Sequence, residues 1–335
     1  MDDARGGAVG ALVGLAVGDA LGMPTQYFAR EKIRARYGLV DDFHAGPDDN
    51  DISRGTPAGH VTDDTDQAVI LGRLFVEGGG SVDPDRLATE LLAWEARMKA
   101  AGSLDLLGPS TLRALRLIAE GVSPDETGRW GDTNGAAMRI APVGVGMAAA
   151  SVTGVVDAVE QAGRVTHNTG IAIAGASAVA MAVSSGVDGR SFEESLALAV
   201  EAARIGSTRG NYVAGADVAS RIEWAVGLVR GLDPDTAADL VYDLVGAGVA
   251  TQEAVPAAFA IASLFPADTW STCRYAASLG GDCDTIAAIA GAIVGAHAGV
   301  GTIPAGILDR LTAANPDLAL ESLADELLAL RGRDD

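Results

Sequence analysis

The stretch "GGDCDTIAAIAGAIVGAHAG", Gly280–Gly299, sets two aspartates and a threonine directly ahead of a run built almost wholly from Ala, Gly and Ile. Gly291, Gly295 and Gly299 recur every fourth residue, so the run reads as a helix with a narrow ridge of small residues, along which a second helix approaches closely. One Asp suffices to start such a helix, because a side-chain oxygen satisfies an orphan amide and favours the positive end of the macrodipole. Asp282 and Asp284 together exceed that need, and with Thr285 they put three hard oxygen donors within four residues. Carboxylates crowded beside buried structure repel one another unless a cation or protons compensate. A doubled N-cap at the surface is the plainer alternative, and this stretch does not choose between them.

Working outward, the same four-residue glycine spacing appears at Gly10, Gly14, Gly18 and Gly22. Two ridged helices of this kind are expected at the centre of one core, so that the beginning and end of the sequence meet. Helical periodicity continues through "DQAVILGRLFVEGG", "PDRLATELLAWEARMKA", "SLALAVEAARIG", "VASRIEWAVGLVRG", "AADLVYDLVGAG" and "ALESLADELLALRG", whereas alternating strand patterns are scarce. Loops are expected at residues 44–60 and 121–135 and at short turns near Gly186 and Asp233. No low-complexity linker divides the chain, which predicts one compact all-α domain over residues 1–335.

Composition narrows the function classes. At 335 residues and 48% hydrophobic, the chain has enough apolar surface for a large core. Its 24 basic and 45 acidic residues, a net charge of -21, argue against nucleic-acid or anionic-membrane partners and suit divalent cations. Two cysteines, Cys273 and Cys283, are too few for a disulfide framework, so a reducing cytoplasm is expected. The acidic N-terminus lacks the basic n-region of an export signal. The longest uncharged segments, residues 167–187 and 285–308, are rich in Ala and Gly and are expected as buried helices, not membrane spans.

A second acidic cluster, "GHVTDDTDQAVIL", mirrors the first: Thr62, Asp63 and Asp64 stand at another helix start, with Asp66 in its opening turn. The two clusters together offer six oxygens, a set that two Mg²⁺ ions sharing ligands and keeping waters would accept. Spacing alone leaves open whether the clusters converge or each serves as an acidic cap.

At this point the chain resembles the ADP-ribosylglycohydrolase family, which includes dinitrogenase reductase-activating glycohydrolases and ADP-ribosyl-acceptor hydrolases. The resemblance rests on "GALVGLAVGDALGMPTQ" (Gly10–Gln26), "VTDDTDQAV" (Val61–Val69) and "GGDCDTIAAIAGAIVGA" (Gly280–Ala296). Between them "GPSTLRAL", "GDTNGAAMRIAPVG" and "VTHNTGIAIAGASAVA" follow in the family's order, so the match runs from about Gly7 to Gly299. It implies an all-helical fold with a cleft holding two Mg²⁺ ions, or Mn²⁺, on Thr62, Asp63, Asp64, Asp282, Asp284 and Thr285. It implies hydrolysis of a glycosidic bond at a ribose anomeric carbon, with Asp63 or Asp284 steering or deprotonating water. Substrate contacts carried over from the family are Gln26, Gly108, Ser110, Thr111, Asn134, Gly135, Met138 and His167. Asp105 is a further candidate near the scissile bond, against the simpler reading of a solvated Asp. Arg139 reads as structural, Asp19 as an anchor of the first loop, and Cys283 as pointing away from the ions.

Two departures bear on substrate. Gln26 stands where many family members carry a Glu, which keeps an acceptor oxygen but loses charge and basicity. Trp130 and Asp132 extend the loop before Asn134, and an acidic Asp132 would sit awkwardly beside a diphosphate. The leading expectation is a Mg²⁺-dependent hydrolase releasing ADP-ribose from a modified protein side chain, arginine favoured, acting as a monomer on an ADP-ribosylated protein or an ADP-ribose-like small molecule. The alternatives are a hydrolase of a smaller ribonucleoside-like N-glycoside on the same metal core, and a non-catalytic ADP-ribose-binding or crystallin-like relative.

Overall fold

The computed structural model describes residues 2–103 and 107–331, and among them every regular element is a helix. Two isolated β-bridges, Thr133 with Ala250 and Thr169 with Asn211, are the nearest approach to sheet. The expected all-α domain is therefore what the chain forms. Asp105, one of the candidate site residues, lies outside the described residues.

The centre of the fold is the pair predicted from the glycine ridges. The opening helix, Asp2–Gly22, packs along the late helix, Cys283–Ala298, more extensively than any other two elements pack. A methyl group added at Gly10 would lie 2.1 Å from the Gly295 carbonyl oxygen, and one at Gly14 would lie 2.2 Å from that of Gly291. The contact is thus backbone against backbone, a separation that only side chains ending at hydrogen permit. At the site end of the ridge, Gly18 faces Ala287 and Gly22 faces Asp284.

A third apolar helix, Gly170–Val187, is buried at every position from Ile171 to Val187. Its Ala-rich sequence favours helix, and Thr169 caps it by accepting from the Ala172 amide at 3.3 Å. A helix apolar on all sides must be covered on all sides, and here other helices do the covering. It and the opening helix are long and apolar enough to span a membrane, yet both are largely enclosed by the protein. The other uncharged segment, residues 285–308, is interrupted at Gly299, where φ is 66°. The last helix, Leu320–Arg331, closes the bundle: Arg331 donates to the carbonyls of Val145 and Ser184, and Arg5 on the opening helix pairs with Asp325 at 2.7 Å.

Some boundaries differ from the periodicity. The segment "AADLVYDLVGAG" changes from α-helix, Pro234–Leu240, to a π-helical turn, Val241–Val245, that ends at Gly246 with φ 92°. The loop at 121–135 contains a short helix, Pro124–Thr127, started by Pro124 and the Ser123 cap. The two acidic motifs also begin their helices earlier than expected, at Asp63 and Cys283, so Asp63, Asp64 and Asp284 sit inside first turns.

Candidate active site

The opening helix positions both acidic helix starts. Near its C-terminal end, Asp19 is fully buried and accepts from the Thr62 amide at 3.0 Å, the Thr65 amide at 3.1 Å and the Thr65 hydroxyl at 2.5 Å. It therefore pins the start of the helix Asp63–Glu77, a partner different from the loop assigned to it by sequence. Burial raises the Asp19 pKa to about 6 against the opposing pull of those donors. One turn on, Gly22 lets the backbone of Asp284 approach, since a methyl there would lie 2.3 Å from the Asp284 Cα.

The turn before the late helix is equally constrained. Gly280 and Gly281 take φ of 95° and 65°, and a methyl at Gly281 would lie 2.1 Å from the Ala247 carbonyl oxygen. The Asp282 amide donates to that same carbonyl at 2.7 Å, and the Tyr27 amide donates to the Gly281 carbonyl at 2.6 Å. Asp282 occupies the N-cap position but makes no capping hydrogen bond. Its carboxylate instead accepts from Asn134 Nδ2 at 2.5 Å, which removes the doubled-cap reading of the motif. Burial raises the Asp282 pKa, with Asn134 and Thr285 opposing the shift.

The two clusters converge. Thr285 Oγ1 donates to Asp64 Oδ2 at 3.2 Å across 221 positions of sequence, and Thr62 Oγ1 reaches the same oxygen at 3.2 Å. Thr62, Asp64, Asp282, Asp284 and Thr285 are all buried, while Asp63 is half-buried and accepts from Gln67 Nε2 at 2.7 Å. Asp66 does not join them, because Trp94 Nε1 holds its carboxylate at 2.7 Å. Among the described residues no three carboxylate, imidazole or thiol side chains form a ready-made metal cage. The donors gathered here are carboxylate and hydroxyl oxygens, the set that hard divalent cations prefer.

These residues open onto a cavity of about 260 Å³. Its lining brings together Gln26, Asp63, Asp64, Gly108, Thr111, Asn134, Gly135, Met138, Asp282, Asp284 and Thr285 from the sequence-derived set. Ser110 is buried beside Thr111 without lining the cavity, and Thr62 stands behind Asp64. His167 is likewise one layer back: its ring is fully buried, with Nε2 3.1 Å from the Thr133 hydroxyl and packed so closely under Gly135 that a methyl there would meet it at 2.8 Å. Trp130 is half exposed, and the Asp132 carbonyl accepts from Thr251 at 2.8 Å; neither residue lines the cavity. Cys283 turns toward Thr25, with Sγ 3.3 Å from its hydroxyl, and away from the cleft as expected.

Pro109, from the same segment as Gly108 and Thr111, lines the cavity too, while sequence reasoning missed Tyr27, Ile52, Leu107, Thr133 and Val249. Thr133 and Tyr27 adjoin residues that were selected, so their proximity was a usable signal. Val249 enters only through tertiary structure, by accepting from the Asn134 amide at 2.9 Å. Arg139 is structural in the expected sense: it is buried, with its guanidinium on Gln67 Oε1 at 2.9 Å and Thr166 Oγ1 at 2.5 Å.

Comparison with known proteins agrees with this architecture. The family model described as ADP-ribosylglycohydrolase matches residues 1–335. The chain is 37% identical over 308 residues to the uncharacterized protein YegU of Escherichia coli (strain K12), covering 92% of each. It is 27% identical over 329 residues to the ADP-ribosyl-(dinitrogen reductase) glycohydrolase of Rhodospirillum rubrum, covering 98% of this chain and 97% of that one. A solved structure described as an ADP-ribosylglycohydrolase-related protein complex superposes with a TM-score of 0.73 at 25% identity, covering 98% of this chain and 99% of the other. With the paired acidic helix starts, the cleft between them and a family match along its whole length, the chain belongs to the ADP-ribosylglycohydrolases and is a hydrolase.

Proposed function

We propose that the chain hydrolyses the glycosidic bond joining ADP-ribose to a modified protein side chain, with arginine the favoured acceptor, and that it does so with two Mg²⁺ ions, or Mn²⁺ in their place. The observation that carries this reading is the hydrogen bond from Thr285 Oγ1 to Asp64 Oδ2, which joins the two acidic motifs into one oxygen-lined wall. Thr62, Asp63, Asp64, Asp282, Asp284 and Thr285 would hold the ions. Bound there, the ions would supply Lewis-acid charge that lowers the pKa of a water and offsets the buried carboxylates.

The chain's own residues account for the remaining chemistry. A water oxygen attacks the anomeric carbon as the bond to the side chain breaks, through an oxocarbenium-like state, and the electron pair leaves with the departing nitrogen. Asp63 or Asp284 takes the water's proton as general base. Gln67 holds one oxygen of Asp63, and Asn134 orients Asp282, so neither carboxylate must reorganise during the reaction. Ile52 and Leu107 add apolar surface to the cavity wall. The same reading has the enzyme working as a monomer in the cytoplasm, where Cys273 and Cys283 stay free and buried.

One observation favours a second reading. A cavity of about 260 Å³ is small for a complete ADP-ribosyl group, since pockets for drug-sized ligands run from roughly 300 to 1,000 Å³. It suits a ribose and its immediate linkage, as a smaller ribonucleoside-like N-glycoside would present. The deciding experiment is ADP-ribose release from an arginine-ADP-ribosylated protein with Mg²⁺ present, then chelated, with Asp282→Ala as control. Metal-dependent release that disappears in the variant supports the first reading. Release only from free ribosides supports the second, and binding with no release from either points to a non-catalytic relative.

A further inference from the structure

The cavity wall at Thr133 is connected to a buried cation. Thr133 Oγ1 lies 3.1 Å from His167 Nε2, and His167 Nδ1 lies 2.7 Å from Thr166 Oγ1. Arg139 donates to that Thr166 oxygen at 2.5 Å and to Gln67 Oε1 at 2.9 Å, and Gln67 Nε2 donates to Asp63 Oδ2 at 2.7 Å. Five hydrogen bonds therefore run from one lining residue, Thr133, to another, Asp63, through His167, Thr166, Arg139 and Gln67, all four of them buried.

The direction of each bond follows from the guanidinium, which can only donate. Thr166 Oγ1 accepts from Arg139, so its own hydrogen is free to go to His167 Nδ1. The opposite arrangement, with Nδ1–H donating to Thr166, would strand a buried hydroxyl hydrogen. His167 is neutral, since burial first and the charges of Arg139 and Arg113 next hold its pKa well below the ordinary 6.5. A neutral ring that accepts at Nδ1 carries its proton on Nε2, and that proton is donated to Thr133. The Thr133 oxygen thus accepts from His167, and its hydroxyl hydrogen is left for the cavity. A chain with a cation at its base polarises every hydrogen outward, which suits a negatively charged acceptor.

We infer that Thr133 donates a hydrogen bond to a negatively charged oxygen of the bound substrate, and that Arg139, Thr166 and His167 are positioning residues that fix its polarity. The inference rests on the ADP-ribosyl reading for the identity of the substrate. The polarity itself does not, because it is a property of the protein without ligand.

Two measurements test it. Calorimetric titration with ADP-ribose in Mg²⁺ compares the wild type with Thr133→Val and Thr133→Ser. Thr133→Val is expected to weaken binding about tenfold or more, and to raise KM with little change in kcat, while Thr133→Ser restores both. ¹⁵N NMR of the histidine rings is expected to show His167 protonated on Nε2 in the wild type, and to show that preference lost in Thr166→Val. Wild-type affinity in Thr133→Val, or an Nδ1-protonated His167 in the wild-type protein, overturns the inference. If the wild type neither binds nor releases ADP-ribose, the substrate reading fails and takes the assigned acceptor with it, while the NMR result still decides the polarity.

Discussion

Gly22 and Asp284 meet backbone to backbone, with room for nothing larger than hydrogen between the end of the opening helix and the first turn of the late one. Gly22→Ala would place a methyl 2.3 Å from the Asp284 Cα, so one helix must shift, and the acidic motif shifts with it. Overpacking of this kind costs about 1–3 kcal/mol. The expected result is a lower melting temperature and a fall in turnover of at least about tenfold, because displacement of a catalytic group by an ångström is that costly. Gly6→Ala on the same helix is the control: nothing lies within 4 Å of the added methyl, and the variant should gain up to about 1 kcal/mol from helix propensity with activity unchanged.

If Mg²⁺ is held between the acidic helix starts, it should stabilise the folded chain as well as support turnover. At a concentration about 100 times its dissociation constant, a ligand of the native state adds about 2.7 kcal/mol. Thermal denaturation with and without chelator should therefore show a shift of several degrees in the wild type. In Asp282→Ala and Asp64→Ala the shift should be absent and turnover reduced by at least about a hundredfold. A full shift in both variants would show that the ion is held elsewhere.

Acid should weaken the fold through its buried imidazoles. His297 is largely enclosed, with Nδ1 2.8 Å from the Ile293 carbonyl and Nε2 2.9 Å from the Ser195 hydroxyl, and burial lowers its pKa from the ordinary 6.5 against the pull of that carbonyl. Below 6.5 the unfolded chain takes up the proton first, so the stabilisation is present above that pH and is lost as pH falls through the lower folded value. His297→Gln should make the melting temperature less sensitive to acid between about pH 7 and pH 5; His167 acts in the same direction as His297, whereas Asp19, whose pKa burial raises to about 6, acts in the opposite one and is unchanged by the substitution. An unchanged slope would exclude His297 as a contributor.

Neither cysteine should react in the native protein. Cys273 and Cys283 are completely buried, and burial pushes both thiols far above their ordinary value of 9.0, so almost no thiolate exists to attack a reagent. Iodoacetamide labelling followed by mass spectrometry should find both unmodified until denaturant is added. Rapid labelling of Cys283 in native conditions would mean that the turn from Gly280 to Cys283 opens readily.

The parts of this architecture legible in the sequence were those that repeat or cluster. Glycines at Gly10, Gly14, Gly18 and Gly22 predicted a close helix contact because periodicity alone defines a ridge, and the oxygen-rich motifs stood out against their apolar helices. That Thr285 would donate to Asp64 was beyond spacing, since the contact depends on how the opening helix presents Asp19 and Gly22 to two distant segments. The series from Thr133 to Asp63 was hidden for a related reason. Thr166, Arg139 and Gln67 have no unusual sequence context, and their meaning is in hydrogen-bond direction, which only the packed structure defines.

The opening helix also has a consequence for the order in which the molecule is made. Gly22 leaves the ribosome 261 residues ahead of its neighbour Cys283. Throughout that interval the glycine ridge is an apolar surface awaiting its mate, a non-local contact of the kind that slows folding and invites misassembly. The joined acidic cleft therefore cannot form before the late helix is made, and a polypeptide arrested ahead of that helix would carry half of the acidic wall with nothing to face it.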